Sequence, residues 1–509
     1  MVMHFTDRPE AATPTQNLVS PNGSCPAKAM KSEQRRDMAI RVLGGKESTS
    51  HTARDNQVSR KFVDKQVAKA QKGLDEAFAP PPEMPEDFLF WLPVTKSWLK
   101  QVMLGLALTC HGSERGIAQF LNDHFDHQVA ASTVHNVLTS AVAAAGIQNA
   151  AGDLEKVDVA AFDEIFQSRK PVLVGAHYAS GYCFLLSPEE QLDSDTWGVR
   201  LLEARDRRLA PQTAIADFGA SMRAGLATAF PDLLCRGDVF HALKDLNAAV
   251  RTVESRAYRA IERRTRVERQ EATKSRRGGR LNHQLIAKER RNEVAALTLA
   301  DDVVILIDWL RNDVFAVAGP PVAIRRELYD FIIAELRPRL ERTSDNGKRI
   351  GSVLDNHRDQ LLAFADQLDR DIAALAQQFD VEASLVRDLL GQQTGNRNDP
   401  GYWQRQAEFH RRSGGRLYEL QKAVRQLYRG TVRASSVIEN LNSRLRTYFA
   451  LRRHLGPGYL QLLQFYLNHR PFPRSERPER KGKSPRELLT GQEHPHWLEL
   501  LGHTRFQRN

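Results

Sequence analysis

Between Glu33 and Phe78, apolar residues recur at helical spacing in three short groups. Met38, Val42 and Leu43 precede Gly44-Gly45, a short stretch runs from Ser48 to Asp55, and Val58, Phe62, Val63 and Val67 follow a turn at Asn56-Gln57. The pattern predicts a helix-turn-helix unit over 31–79 whose last helix carries Arg60, Lys61, Lys65 and Lys69. A Pro-rich linker from Ala79 to Pro85 closes it. A second three-helix pattern occupies 86–150: Trp98 to Thr109, then Ser113 capping Glu114–Asn122, then Ser132-Thr133 capping a helix with Val134, Val137, Leu138 and Val142. This second unit is the better match to DNA-binding helix-turn-helix geometry, where the last helix enters the major groove. A helical bundle without a DNA role would read the same way. Residues 1–30 are aperiodic and rich in Pro, Ser, Thr and Asn, the composition of a disordered tail.

From Val157 the period changes to that of strands. Val157–Glu164, Pro171–His177 and Gly181–Leu186 read as three strands joined by short turns, followed by a strand Thr213–Ala216, a helix Ser221–Phe230 and a short strand Asp232–Cys235. Three hairpin-linked strands and then strand–helix–strand is the order of an α/β RNase H-like fold. Residues 238 to about 430 look helical throughout, with breaks at Gly278-Gly279, Gly319-Pro320-Pro321 and Gly391–Pro400. Heptad-like spacing runs through Leu354, Leu361, Phe364, Leu368, Ile372 and Leu375. Two more helices, Ser435–Leu455 and Gly458–His469, precede a basic, Pro-rich tail from Pro471. The expected organisation is thus a catalytic domain split into 155–250 and 431–470 by an all-helical insertion at 251–430, with a tail at 471–509.

Composition sharpens this picture through the distribution of charge. The 509 residues carry 73 Lys+Arg against 62 Asp+Glu, a net +11, with 41% hydrophobic residues, enough for packed cores. Residues 251–300 hold 14 basic and 6 acidic residues, and 401–490 hold 19 and 6, whereas 151–250 hold 10 and 15. A carboxylate-rich segment followed by two basic tracts suits a polyanion held near bound metal, although solvated helix faces give similar runs. No run approaches the roughly 18 apolar residues of a spanning helix, and the N-terminus lacks the apolar stretch of a secretory signal. Cys25, Cys110, Cys183 and Cys235 are scattered singly, against a disulfide scaffold or a Cys-rich zinc site and in keeping with a reducing cytosol. No Gly-rich phosphate loop and no Ser–His–Asp arrangement stands out.

Three acidic residues stand where strand and helix ends would bring them together: Asp163 closing the first strand, Asp217 ending the fourth, and Glu439 in the first turns of a late helix. In an RNase H-like sheet the first and fourth strands are neighbours and a later helix packs against them. Their carboxylates would then share two divalent cations about 4 Å apart. Hard oxygen ligands and substrate phosphate favour Mg²⁺, with Mn²⁺ as a substitute. Any one of these residues alone reads equally as a cap or a helix-dipole partner, and Asp158 and Glu164 compete for the first position.

The stretches DEIFQSRKPVLVG, IADFGASMRAGL, DVFHALKDL and SSVIENLNSRLRTYFALRR, with a final FYLNHRPF…KSPRELL, resemble bacterial insertion-sequence transposases of the DDE class. The resemblance covers Val157 to Leu489. It implies a metal-binding triad of Asp163, Asp217 and Glu439. Asp238-Val239-Phe240-His241 resembles the [C/D]xxH element of Mutator- and hAT-like transposases, which would put His241 near the active site. A helix-start Asp with a His one turn later is the alternative. The 222-residue separation of Asp217 and Glu439 leaves room for the helical insertion those enzymes have. Its Arg-rich start (Arg263, Arg264, Arg266, Arg269, Arg276, Arg277 among them) could grip transposon-end phosphates. Trp309 resembles tryptophans that stack on a displaced base, or is a core residue. Asn440, Asn442, Arg444 and Arg446 around Glu439, with Arg452 and Arg453 beyond, would supply phosphate donors.

The resemblance implies a DNA transposase of the bacterial cytoplasm, associated with the nucleoid. It would bind double-stranded DNA at transposon ends and target, work as a homodimer or larger synaptic assembly, and need no membrane. Two rivals remain at this level: a domesticated transposase acting as a DNA-binding regulator, and a related nuclease or recombinase.

Overall fold

The computed structural model describes residues 26–79, 89–90, 92–394, 398–452, 455–475 and 477–506. Most of the expected N-terminal tail, the linker from Pro80 onward and Arg453 lie outside them. The chain divides into two compact units, Met1–Leu92 and Pro93–Asn509.

In the first unit, a short α1 (Pro26–Ala29) precedes α2 (Ser32–Leu43), α3 (Thr49–Asp55) and α4 (Arg60–Phe78). Hydroxyl caps set both starts: Ser48 accepts from the His51 amide and Ser59 from that of Phe62. Met38, Ala53 and Val63 form a small core, with Val42, Val58, Phe62 and Val67 packed around it. Apart from Ala53 these are residues the spacing singles out, whereas Leu43, also in that pattern, lies outside this core.

The second unit begins with α5 (Lys96–Leu108), α6 (Glu114–Phe125) and α7 (Ala131–Ala150). Ser113 caps α6 as expected, but α7 starts earlier than the sequence suggests, so Ser132 and Thr133 lie inside its first turn and no side chain caps it. A single mixed sheet follows, built from β1 (Val159–Gln167), β2 (Lys170–His177), β3 (Cys183–Pro188), β4 (Thr213–Ala216) and β5 (Leu234–Gly237). Its order is β3-β2-β1-β4-β5, with β1 antiparallel to β2, β2 antiparallel to β3, and β4 parallel to both β1 and β5. Between β3 and β4 runs α8 (Ser194–Asp206), absent from the expected elements despite its Asp193 cap and the helical spacing of Trp197, Leu201 and Ala204. The helix α9 (Ala220–Ala229) links β4 to β5.

Each face of the sheet has its own core. Ala160, Phe162, Leu173 and Ala214 pack against Trp197 and Leu201 of α8 and Met222 and Leu226 of α9. On the other face, Ala161, Ile165, Val172 and Val174 join α5–α7 and the late helices α18 (Ser436–Leu451) and α19 (Pro457–His469) in one continuous core. The three-helix pattern at 86–150 is therefore no free-standing unit: its apolar stripe packs on α18 and α19, which in turn cover the sheet. The basic tail expected from Pro471 is folded as well. It forms α20 (Pro485–Thr490) and α21 (Trp497–Leu500), with Leu489 in the first core and Trp497 and Leu501 in the second.

The insertion comprises α10 (Val239–Arg276), α11 (His283–Trp309), a π-helical turn Leu310–Val314, α12 (Val322–Glu341), α13 (Asp345–Asn356), α14 (Arg358–Phe379), α15 (Ala383–Gly391), α16 (Tyr402–Arg412) and α17 (Leu417–Gly430). It begins inside a continuous 38-residue helix, so the boundary expected at 250/251 falls mid-helix. α14 packs against β5 and covers the open sheet edge. Arg325, fully buried, ties the loop after the π-turn together by donating to the carbonyls of Val314, Ala316, Val317 and Pro320. Among the described residues no helix is long and apolar enough to cross a membrane.

Candidate active site

Strand alternation decides between the rival carboxylates on β1. Asp163 shares its face with Ala161 and Ile165, towards α18, while Glu164 points to the opposite side with Phe162. Asp163 sits mid-strand rather than at its close, because β1 continues to Gln167. Val157, expected to open the first strand, precedes it and belongs to the opposite core. Asp158 is engaged elsewhere: its Oδ1 lies 2.8 Å from His177 Nε2, whose Nδ1 lies 2.8 Å from Ser180 Oγ. A Ser–His–Asp arrangement thus exists after all, invisible in sequence because it spans a hairpin. Ser180 is buried and its Oγ accepts from the Tyr182 amide, so the trio pins the β2–β3 turn and presents no nucleophile.

Asp163, His241 and Glu439 each offer a ligand atom within 4.8 Å of the others. Asp163 is 5% exposed; its Oδ1 accepts from the Glu164 amide and its Oδ2 from Asn442 Nδ2 at 2.6 Å. Asn442, one turn after Glu439 on α18, therefore orients a carboxylate instead of offering itself to phosphate. His241 stands in the first turn of α10, with Nδ1 2.7 Å from Asp238 Oδ2 and Nε2 3.3 Å from Glu439 Oε1. Fully buried Asp238 caps α10 by accepting from the Phe240 amide, and it also accepts from Ser435 Oγ. Ser435 accordingly spends its hydroxyl on Asp238 and makes no side-chain cap to α18. The [C/D]xxH spacing thus places a carboxylate behind an imidazole that faces the site.

Asp217 ends β4 beside β1, outside the three-residue cluster. Its Oδ1 accepts from the Gly219 amide at 2.9 Å. A Cβ at Gly219 would lie 3.0 Å from Asp217 Oδ1 and 3.6 Å from Glu164 Oε1, so this glycine leaves space over two converging carboxylates. Arg223 closes the turn from behind, donating to the carbonyls of Asp217 and Ala216.

Burial and mutual repulsion show in the proton affinities. Burial raises Asp163 to about 6, opposed by the nearby His241 charge and aided by Asp217 and Glu439. Glu164 rises to about 7, through burial and then the charges of Asp217 and Asp163. Burial works against a charged His241, but the Asp238 hydrogen bond and charge, then Asp163 and Asp217, outweigh it and push the imidazole up to about 9. Glu439 Oε1 is buried and has no hydrogen-bond donor, since His241 approaches it without hydrogen-bond geometry. An orphaned carboxylate oxygen beside a second buried carboxylate is what a hard cation would satisfy. Asp163 and Glu439 fit such an ion, with His241 as a nitrogen ligand or counter-charge.

All three shifted groups have folded pKa values above their unfolded ones, so their stabilising contributions are complete at low pH. Those of Asp163 and Glu164 fade as pH rises through about 6 and 7, and that of His241 through about 9. Adding Mg²⁺ or Mn²⁺ to metal-free protein is therefore expected to raise the melting temperature more at pH 8 than at pH 5. Equal shifts at both pH values would place the ion elsewhere.

The sequence matches no protein-family model and no curated protein.

The arginines expected to contact DNA divide by their surroundings. Arg263 and Arg276 are exposed on the far half of α10, and Arg277 is exposed just past its end. At 1.5 Å per residue, Arg276 lies roughly 50 Å along the axis from His241. Arg264 is occupied by Glu268 and Glu293, and Arg452 by the Gly112 carbonyl and the Tyr459 ring. Arg446 lies 3.7 Å from Glu439 and stays largely exposed, and Arg444 stacks over Phe472 at 5.5 Å. Trp309 is 44% exposed at the end of α11, not a core residue.

Proposed function

We propose that the protein is a DNA transposase whose sheet and α18 form an RNase H-like catalytic domain. The observation that carries this reading is the convergence of Asp163 on β1 and Glu439 on α18, far apart in sequence, with Asp217 at the end of the parallel neighbour β4. The strand order and directions agree with that fold. Bound Mg²⁺, or Mn²⁺ in its place, would supply activation of the attacking oxygen and stabilisation of the leaving one. The protein's own groups have separate duties: Asp163 and Glu439 would hold the ion, Asn442 fixes the Asp163 rotamer, and Asp238 fixes the His241 ring. Cationic His241 balances the carboxylates until an ion or a scissile phosphate arrives. Arg446 would face the phosphate beside Glu439.

The exposed arginines at the tip of the α10–α11 hairpin reach DNA well away from the chemistry, which suits recognition of a transposon end along its length. A dimer or larger assembly follows from the need to cut two ends together. The first helical unit carries an exposed, Lys-rich α4 and is the better remaining candidate for reading end DNA.

The test is incubation of the full chain with Mg²⁺ and DNA carrying the inverted repeats that flank its gene. Cleavage at the repeat ends and joining of the freed 3′ ends to target DNA are expected, and both should be absent in Glu439→Ala. Specific DNA binding without any metal-dependent nicking would favour the regulator reading instead. Nicking at one fixed site without joining would favour a nuclease.

A further inference from the structure

On α18, Ser436, Asn440 and Arg444 follow one another at one-turn spacing, and Asn440 is the immediate neighbour of Glu439. This stripe floors a cleft of about 310 Å³ walled by the β2–β3 turn and the segment after α19, and Arg444 continues with Thr447 and Tyr448 into an adjoining cleft of about 320 Å³ beside His111. The clefts share Arg444, Phe472 and Arg474. Arg477 and Arg480 line the first and Arg470 the second. Among the described residues, none of these five guanidinium groups has a carboxylate partner.

Three of the five are held in place despite the repulsion. Phe472 is flanked by Arg444 at 5.5 Å and Arg480 at 5.8 Å, Arg470 lies over Tyr466 at 5.6 Å, and Arg480 donates to the Ala179 carbonyl. Burial, then the neighbouring Arg470, disfavours the charge on Arg444; burial, then Arg477, does the same for Arg480. Glu479 offsets part of the charge at Arg480, but positive charge concentrated this way without an ion-paired carboxylate is costly unless an anion joins it, and guanidinium forks suit phosphate oxygens.

We propose that the two clefts hold successive phosphates of one DNA strand on either side of Phe472, guiding that strand to the carboxylates at Glu439. The inference rests on the DNA reading above for the identity of the polyanion. An acidic peptide would satisfy the charge, but only a phosphodiester chain has reason to run along α18 into the carboxylate site. The Phe472 ring is already stacked by two guanidinium groups, whose forks match phosphate oxygens. The contact is therefore to the backbone and indifferent to sequence.

The test compares full-length protein with Arg474→Ala/Arg477→Ala, measuring anisotropy of labelled single-stranded and duplex oligonucleotides against salt, in Ca²⁺. For single strands, log K against log[salt] should become shallower by about 1.4 if two phosphate contacts are lost. Affinity at low salt should fall roughly tenfold, equally for unrelated sequences. Arg474→Lys/Arg477→Lys should keep most of the slope. Should the double alanine variant not fold, Arg474→Glu on the exposed rim serves in its place. An unchanged slope, a loss confined to one sequence, or lost binding of polyglutamate with DNA binding intact would each overturn the proposal. A chain that cuts and joins DNA while the variant keeps its slope refutes the clefts alone. A variant that loses its slope in a chain without cleavage activity refutes the transposase reading alone.

Discussion

Asp163→Asn is expected to lower metal-dependent cleavage of end DNA by at least about a thousandfold, a loss of roughly 4 kcal/mol of transition-state stabilisation. The same change should raise the melting temperature of the metal-free protein at pH 8. The activity loss follows from removing the charge of the most buried carboxylate in the cluster. The stability gain follows from its proton affinity: a carboxyl raised to about 6 costs folding free energy wherever it is ionised. That cost is absent near pH 4, so the gain should vanish there. An amide also fits the local hydrogen bonds. The Glu164 amide needs an acceptor at Oδ1, which asparagine keeps, and Asn442 Nδ2 would face a new donor. Asn442 Oδ1 has no partner, so turning its amide over restores the bond. Activity measured beside thermal melts at both pH values checks the pair of expectations. Retained cleavage would remove Asp163 from the site, and a lower melting temperature at pH 8 would mean that its charge is already compensated.

Arg325→Met is expected to destabilise the insertion by about 3–5 kcal/mol, seen as an earlier transition in denaturant or heat. Its guanidinium serves four backbone carbonyls between Val314 and Pro320 and lies 5.6 Å from the Phe364 ring, in a place with no solvent. Methionine fills similar volume but leaves those carbonyls without donors. Burial lowers the Arg325 pKa to about 10, still cationic at neutral pH. Lysine has a compact head and cannot span the fan, so Arg325→Lys should recover only part of the loss. A loss under about 1 kcal/mol for Arg325→Met would show that water or a rearranged loop takes over the carbonyls. The loop follows directly on Trp309 and the π-turn, so the exposed indole depends on the same support.

Much of the secondary structure was legible because burial imposes periodicity. Met38, Val63, Ile117, Leu121, Val134 and Leu138 are all buried, as their spacing requires. The strands were recovered to within a few residues, and the expected breaks near Gly278, Gly319 and Gly391 are present, but those at 342–344, His357 and 380–382 contain no glycine or proline and left no such mark. Misreadings cluster where one segment serves two masters. The apolar stripe of α5–α7 is equally compatible with a free bundle and with a layer packed on α18 and α19, and Trp497 and Leu501 are too few to announce a folded tail. α8 was missed although its signal was present at Asp193 and Trp197.

Site chemistry divided along the same line. Alternation on β1 puts Asp163 and Glu164 on opposite faces, which the sequence alone determined once the strand was recognised. It also determined the Asp238–His241 pairing, since three residues is one helical turn. Only the tertiary structure decided which face of β1 meets α18, that Asn442 and Ser435 support carboxylates, and that Arg264 and Arg452 are already engaged. It alone gathered Arg444, Arg470, Arg474, Arg477 and Arg480 around Phe472. The physical reason is range. Periodicity and capping act within a few residues and leave their mark in the local pattern. A polar side chain's partner, and hence its charge and availability, is fixed by whichever distant segment packs beside it.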